Sequence, residues 1–137
     1  MPVAEFTEAE LVAWGEEFGR ALALPACVVL SGELGAGKTT LVRAIARAQG
    51  MLEPVTSPTY SMVHEYRSPR SHIFHLDLFR LKAATELYQI GWEEIMRSGG
   101  LVLIEWPDRA GDQLPLSHIA LRLEHLPGRP ERRRLRW

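Results

Sequence analysis

The chain of 137 residues has no asparagine, one cysteine, three glutamines, and two lysines against 14 arginines. Each shortage excludes something. With Cys27 alone, no intrachain disulfide framework can form, and its place in Ala26-Cys27-Val28-Val29-Leu30 reads as buried core rather than a reactive thiol. No run of about 18 apolar residues exists, so no membrane-spanning helix is predicted. A net charge of −1 gives no global attraction to nucleic acid or membrane. The start of the chain, carrying Glu5, Glu8 and Glu10, is too acidic for a signal or transit peptide, and a cytoplasmic location is expected. Scarce Asn, Gln and Cys suit a thermophile's avoidance of labile residues and equally suit a GC-rich genome.

What is present belongs to an ordinary globule: 46% hydrophobic and 24% charged residues, enough chain for one cored domain over 1–137. Thr7-Glu8-Ala9-Glu10 is a capping-box pattern that predicts a helix to about Ala23, with Leu11, Trp14, Phe18 and Leu22 on its apolar side. Val55 to Thr59 reads as an irregular connector. Ser61 to Tyr66 and His72 to Leu76 read as a hairpin around Arg67-Ser68-Pro69-Arg70-Ser71. Ala83 to Arg97 is expected to be helical with a break at Gly91, and Leu101-Val102-Leu103-Ile104 to be a central strand. His118 to His125 and Arg132 to Trp137 form a second expected hairpin. The expected fold is α/β: a single domain with a mixed parallel and antiparallel sheet flanked by helices.

The stretch carrying most chemistry is Gly32-Glu33-Leu34-Gly35-Ala36-Gly37-Lys38-Thr39, which meets every fixed position of G-x-x-x-x-G-K-(S/T). An apolar strand precedes it, and Leu41, Val42, Ile45 and Ala46 follow at helical spacing. Glycines let successive backbone N–H groups turn inward around a polyphosphate at a helix N-terminus. Lys38 is assigned to the β- and γ-phosphates, and the Thr39 hydroxyl to Mg²⁺, which takes hard oxygen donors. One of only two lysines stands where a compact charge on a flexible stem is needed and a broad guanidinium is not. The loop makes a P-loop NTPase-like domain the expected fold; a chance glycine-rich turn is the bland alternative.

Such a loop needs an acidic partner at the end of a neighbouring strand. Glu105, closing four apolar residues, is assigned to the metal, and Asp77, closing Ile73-Phe74-His75-Leu76, to orienting water. A surface carboxylate is the alternative for each. Guanine recognition through N-K-x-D is impossible without Asn, and Asp108-Arg109-Ala110-Gly111 is a chance match to D-x-x-G. A small-molecule kinase would need an acceptor pocket and a lid for which little chain remains. ATP hydrolysis or nucleotide switching is the simpler chemistry.

Together the motifs resemble the TsaE (formerly YjeE) family, the small bacterial ATPases of tRNA threonylcarbamoyladenosine biosynthesis. Gly32 to Thr40 resembles G-(D/E)-L-G-A-G-K-T-T, and Ser57 to Tyr66 resembles S-P-T-(F/Y)-x-(L/M)-V-x-x-Y. His75 to Leu81 is similar to H-x-D-L-Y-R-L, and Glu105-Trp106-Pro107 to E-W-P. Phe79 departs by standing where Tyr is usual. The resemblance implies an ATP- and Mg²⁺-dependent ATPase working with TsaD and TsaB, and reaching tRNA indirectly through that complex. It implies a nucleotide site over Gly32, Glu33, Leu34, Gly35, Ala36, Gly37, Lys38, Thr39 and Thr40, with Asp77 catalytic and Glu105 at the Mg²⁺ site. Ser57 to Thr59 would be a switch-like loop in which Thr59 senses the γ-phosphate.

Several residues keep two readings. Arg129, in a G-R turn similar to the family's nucleotide-contacting arginine, either touches ATP or faces water. Glu8 either lines the adenine pocket or serves the start of its helix. His75 is read as packed rather than as a metal ligand, and Trp106 as core or nucleotide contact. Arg132, Arg133, Arg134 and Arg136 either meet tRNA phosphates or form a solvated strand face. A nucleotide-dependent binding module without required turnover remains the alternative to an ATPase subunit.

Overall fold

A computed structural model of the protein describes residues 2–52, 54–55 and 62–137. Among the described residues eight strands form one sheet, in the order β1 (Val3–Thr7), β8 (Arg132–Arg136), β7 (Ile119–His125), β2 (Ala26–Ser31), β6 (Leu101–Glu105), β5 (His72–Asp77), β4 (Val63–Arg67) and β3 (Pro54–Val55). The four central strands β7, β2, β6 and β5 run parallel, and antiparallel pairs extend the sheet at both edges. Mixed topology is therefore as expected.

Strands β2 and β6 are apolar on both faces because both faces are covered, whereas β7 buries only Leu121 and Leu123. Val28, Leu30, Leu101, Leu103, Leu121 and Leu123 pack with α1 (Glu8–Ala21) and α2 (Lys38–Ala48). Val29, Leu76, Val102 and Ile104 face the other way, onto Leu87, Trp92, Ile95 and Ala110. Those come from a 3₁₀ helix at Ala84–Ile90, α3 (Trp92–Met96), and a second 3₁₀ segment at Pro107–Gln113. Alternation with period two thus splits one sheet between two cores.

Helix α1 starts where the capping box puts it: the Glu10 N–H donates to Thr7 Oγ1 at 3.3 Å, and the Thr7 N–H donates to Glu10 Oε1 at 2.8 Å. The partner carboxylate is Glu10, not Glu8. Two turns on, Gly15 and Gly19 remove the side chains that would keep α1 off α2. A Cβ on Gly19 would lie 2.7 Å from the Ile45 carbonyl oxygen. Buried Gln49 fastens the same contact, donating from Nε2 to the carbonyls of Gly19 and Leu22.

Three expectations are corrected. Val3–Thr7 is a strand the local pattern did not suggest, because its pairing partner is Arg132–Arg136 at the far end of the chain. Ala83 to Arg97 breaks at Gly91 as expected, with φ 79°, but its first half is 3₁₀ rather than α. Val55 pairs with Glu65 in β3 instead of belonging to a connector, while residues 56–61 lie outside the described residues.

Candidate phosphate-binding site

Strand β2 runs into the glycine loop, and α2 leaves it at Lys38. Gly32 (φ 143°) and Gly37 (φ 103°) hold backbone conformations that other residues rarely adopt. At Gly32 a Cβ would also collide with the carbonyl oxygen of Leu123 on β7. Gly37 caps α2 without any side-chain hydrogen bond, so the first-turn N–H groups carry no capping side chain. A loop of this form at a helix N-terminus is suited to phosphate.

Lys38 is buried, and its ammonium donates to the carbonyls of Gly32 and Glu33, the latter at 3.1 Å. It also sits 4.1 Å from the centroid of the Trp106 ring. Burial lowers its pKa from the ordinary lysine value, while the Glu105 and Asp77 carboxylates act in the opposite direction. Trp106 reaches this position with φ 58°, the one positive φ on a non-glycine among the described residues, and its other neighbour is Phe79 at 5.0 Å. Backbone strain of this kind persists only where the surrounding structure over-determines it, and it clusters at ligand and active sites.

Two carboxylates close the cleft. Asp77 and Glu105 are register partners at the carboxyl ends of parallel β5 and β6. Glu105 is 3% exposed, and Thr39 Oγ1 donates toward its two oxygens at 3.2 and 3.4 Å. Asp77 is half-buried, and its Oδ1 accepts the Phe79 N–H at 3.1 Å. Lys38, Thr39, Thr40, Asp77, Glu105, Leu34, Phe79 and Trp106 line one cleft of about 310 Å³. Open α/β sheets bind ligands at this end of their strands.

A second cavity of about 200 Å³ lies on the other side of the loop, between Glu8 and Leu11 of α1, residues 35–37, Thr40, and Pro130, Glu131 and Arg133. Glu8 is therefore brought to the loop. Arg129 is not: its guanidinium pairs with Glu5 at 3.2 Å. The arginine that touches the loop is Arg133, whose Nη2 donates to the Gly35 carbonyl at 3.3 Å. The other three arginines of β8 sit beside partly exposed carboxylates, Arg132 with Glu10, Arg134 with Glu5 and Arg136 with Glu124. Thr59, with Ser57 and Pro58, lies outside the described residues.

His75 is the site residue that sequence reasoning treated as packing alone. It is buried as expected, yet its Nε2 lies 2.6 Å from Glu105 Oε2. The available signal was parity, since His75 and Asp77 stand two apart on one strand and share a face. Cys27 is half-buried in β2 rather than fully buried as read, yet burial still pushes its thiol up to about 11. Among the described residues no helix is long and apolar enough to cross a membrane.

A parallel sheet feeding a glycine loop and helix, with carboxylates at the ends of neighbouring strands, defines the P-loop NTPase-like class of nucleotide-binding folds. The crystal structure of Bacillus subtilis YdiB shares this fold with a TM-score of 0.74 at 23% identity, over 98% of this chain and 83% of that one. The family described as threonylcarbamoyl adenosine biosynthesis protein TsaE matches residues 6–134, and this chain belongs to it. The tRNA threonylcarbamoyladenosine biosynthesis protein TsaE of Treponema pallidum is 35% identical over 113 residues, 82% of this chain and 83% of its own. That of Rickettsia bellii is 36% identical over 121 residues, 88% of this chain and 83% of its own.

Proposed function

We propose that this protein is an ATP-hydrolysing accessory subunit of the machinery that forms threonylcarbamoyladenosine in tRNA, acting in the cytoplasm with TsaD and TsaB. The observation that carries the reading is the convergence of Lys38, Thr39, Asp77 and Glu105 on one cleft, in a chain of the TsaE family. The donor set fits Mg²⁺, because a hydroxyl and a buried carboxylate stand 3.2 Å apart and both are hard oxygen ligands. Thr39 and Glu105 would hold it. When bound, Mg²⁺ supplies charge neutralisation at the phosphate oxygens.

The chain's own groups do the rest. Lys38 exchanges the carbonyls of Gly32 and Glu33 for β- and γ-phosphate oxygens, a short swing for a flexible stem. The N–H groups of Glu33 to Thr40 wrap the polyphosphate. Asp77, level with Glu105 yet more exposed, orients the attacking water. Glu8 and Arg133 flank the cavity suited to the adenine side. Thr59 senses the γ-phosphate, and tRNA is reached through the complex.

Lys38→Ala and Thr39→Ala, checked as folded by circular dichroism, should each lower ATP turnover about 100-fold, the effect of losing one electrostatic contact to developing charge. Turnover by Lys38→Ala at the wild-type rate would overturn the phosphate-loop reading. A pull-down of TsaB–TsaD by the wild type, with and without ATP, tests the partners. Failure to enrich them in either condition would overturn that assignment.

A further inference from the structure

Glu105 poses a physical problem: a carboxylate whose side chain is 4% exposed has lost its water and must be compensated by donors. Thr39 brings one hydroxyl, shared between both oxygens at 3.2 and 3.4 Å. The strong contact is His75 Nε2 at 2.6 Å from Oε2, and the His75 side chain is 7% exposed. Against an ionised carboxylate the imidazole nitrogen must carry the proton and donate. His75 does not line the cleft itself. It stands two register pairs behind it, opposite Leu103, while Asp77 stands opposite Glu105. From behind, His64 on β4 is its register partner and stacks on it, ring centroids 5.7 Å apart at 27°. The imidazole is thus held on one side by a ring and aimed on the other at one carboxylate oxygen.

We infer that His75 is a positioning residue for the cation site: by donating to Oε2 it fixes the rotation of the Glu105 carboxylate, so that Oε1 and Thr39 Oγ1 face the cleft together. This rests on the reading of Glu105 as the Mg²⁺ carboxylate. Unheld, the carboxylate would have to be ordered by the cation itself, and affinity would fall. Groups that orient a ligating side chain from outside the coordination sphere are typically worth about 10–100-fold in metal affinity.

The test uses the full chain and a fluorescent ATP analogue, titrated without Mg²⁺ and then with increasing Mg²⁺. His75→Leu keeps bulk and removes the donor. It should raise the half-saturating Mg²⁺ about 10–100-fold while leaving metal-free nucleotide affinity unchanged. His75→Gln, whose amide reaches as far as Nε2, should restore most of the loss, a rescue that a packing role would not produce. If His75→Leu does not fold, His75→Asn, whose amide falls short of Glu105, takes its place. Wild-type Mg²⁺ dependence in the donor-less variant, or equal impairment in it and His75→Gln, would overturn the inference alone. Nucleotide binding by the wild type that ignores Mg²⁺ would instead overturn the cation-site reading, and the inference with it.

Discussion

Replacing Gly19 with alanine sets two effects of opposite sign against each other. Alanine in a helix interior is favoured over glycine by about 0.8–1 kcal/mol. Its Cβ, however, would lie 2.7 Å from the Ile45 carbonyl oxygen, 2.9 Å from Ala48 Cβ and 3.0 Å from Ile45 Cα. Backbone cannot step aside as a side-chain terminus can, so relief requires moving α1 off α2. Overpacking of that kind costs about 1–3 kcal/mol, and against backbone the upper half of the range applies. The net is a loss of about 1–2 kcal/mol, or about 3–8 °C in Tm for a chain of this size. Gly15 is the internal comparison, because its closest neighbours are the terminal Leu41 Cδ1 at 2.8 Å and Ala44 Cβ at 3.0 Å. A leucine methyl can rotate away. Gly15→Ala should therefore sit within about 1 kcal/mol of wild type in urea unfolding. The shift matters for function as well, since α2 begins with Lys38 and Thr39 and α1 with Glu8. A Gly19→Ala protein as stable as wild type, or a reversed ranking of the two variants, would refute the claim that the glycines set the helix spacing.

Glu105→Gln keeps shape and removes the charge proposed for Mg²⁺, so Mg²⁺-dependent nucleotide affinity should weaken about tenfold or more, whereas Asp77→Asn should spare binding and depress turnover. The reverse ranking in Mg²⁺ titrations would exchange the two roles. Glu124 accepts a 2.6 Å hydrogen bond from Arg136, which, ahead of its other arginine neighbours, holds its carboxyl below the usual carboxylate range. A folded-state pKa below the unfolded one contributes stability at neutral pH that disappears as pH falls through the folded value. Glu124→Gln should thus be less stable than wild type near neutrality, with the gap closing below the ordinary value of 4.5. Urea midpoints at neutral and strongly acidic pH check this, and a constant gap would contradict it. With its thiol at about 11, Cys27 should react with a disulfide reagent at pH 8 only about a thousandth as fast as a fully ionised thiol. Native reaction as fast as in denaturant would refute burial as the cause.

Local chemistry was legible along the chain wherever neighbours in sequence are also neighbours in function. The glycine loop, the apolar strand before it, the capping box at Thr7 and the carboxylates ending two apolar runs each depend on a few consecutive residues. For the same reason the family could be read from four short motifs in order. Strand β6 was equally plain, since a strand buried on both faces must be apolar throughout, as Leu101 to Ile104 is. The second half of the Ala83 to Arg97 segment kept its pattern, but 3₁₀ and α turns share enough spacing that periodicity could not separate them in the first.

What only the tertiary structure decided is what lies far apart in the chain. Strand β1 exists because β8, more than 120 residues later, offers it a partner, and nothing in Val3 to Thr7 announces that. Arg129 and Arg133 look alike in an arginine-rich tail; the pairing with Glu5 takes one from the loop, and the turn of β8 brings the other to Gly35. His75 is the sharpest case. In sequence it is a histidine in an apolar strand, which reads as a packed residue rather than a ligand. Sheet register sets it diagonally behind Glu105, 30 residues away, and burial of both makes their hydrogen bond the compensation that a dehydrated carboxylate requires. Pattern in sequence specifies which face a side chain takes, whereas the field around it is set by which strands the fold makes adjacent.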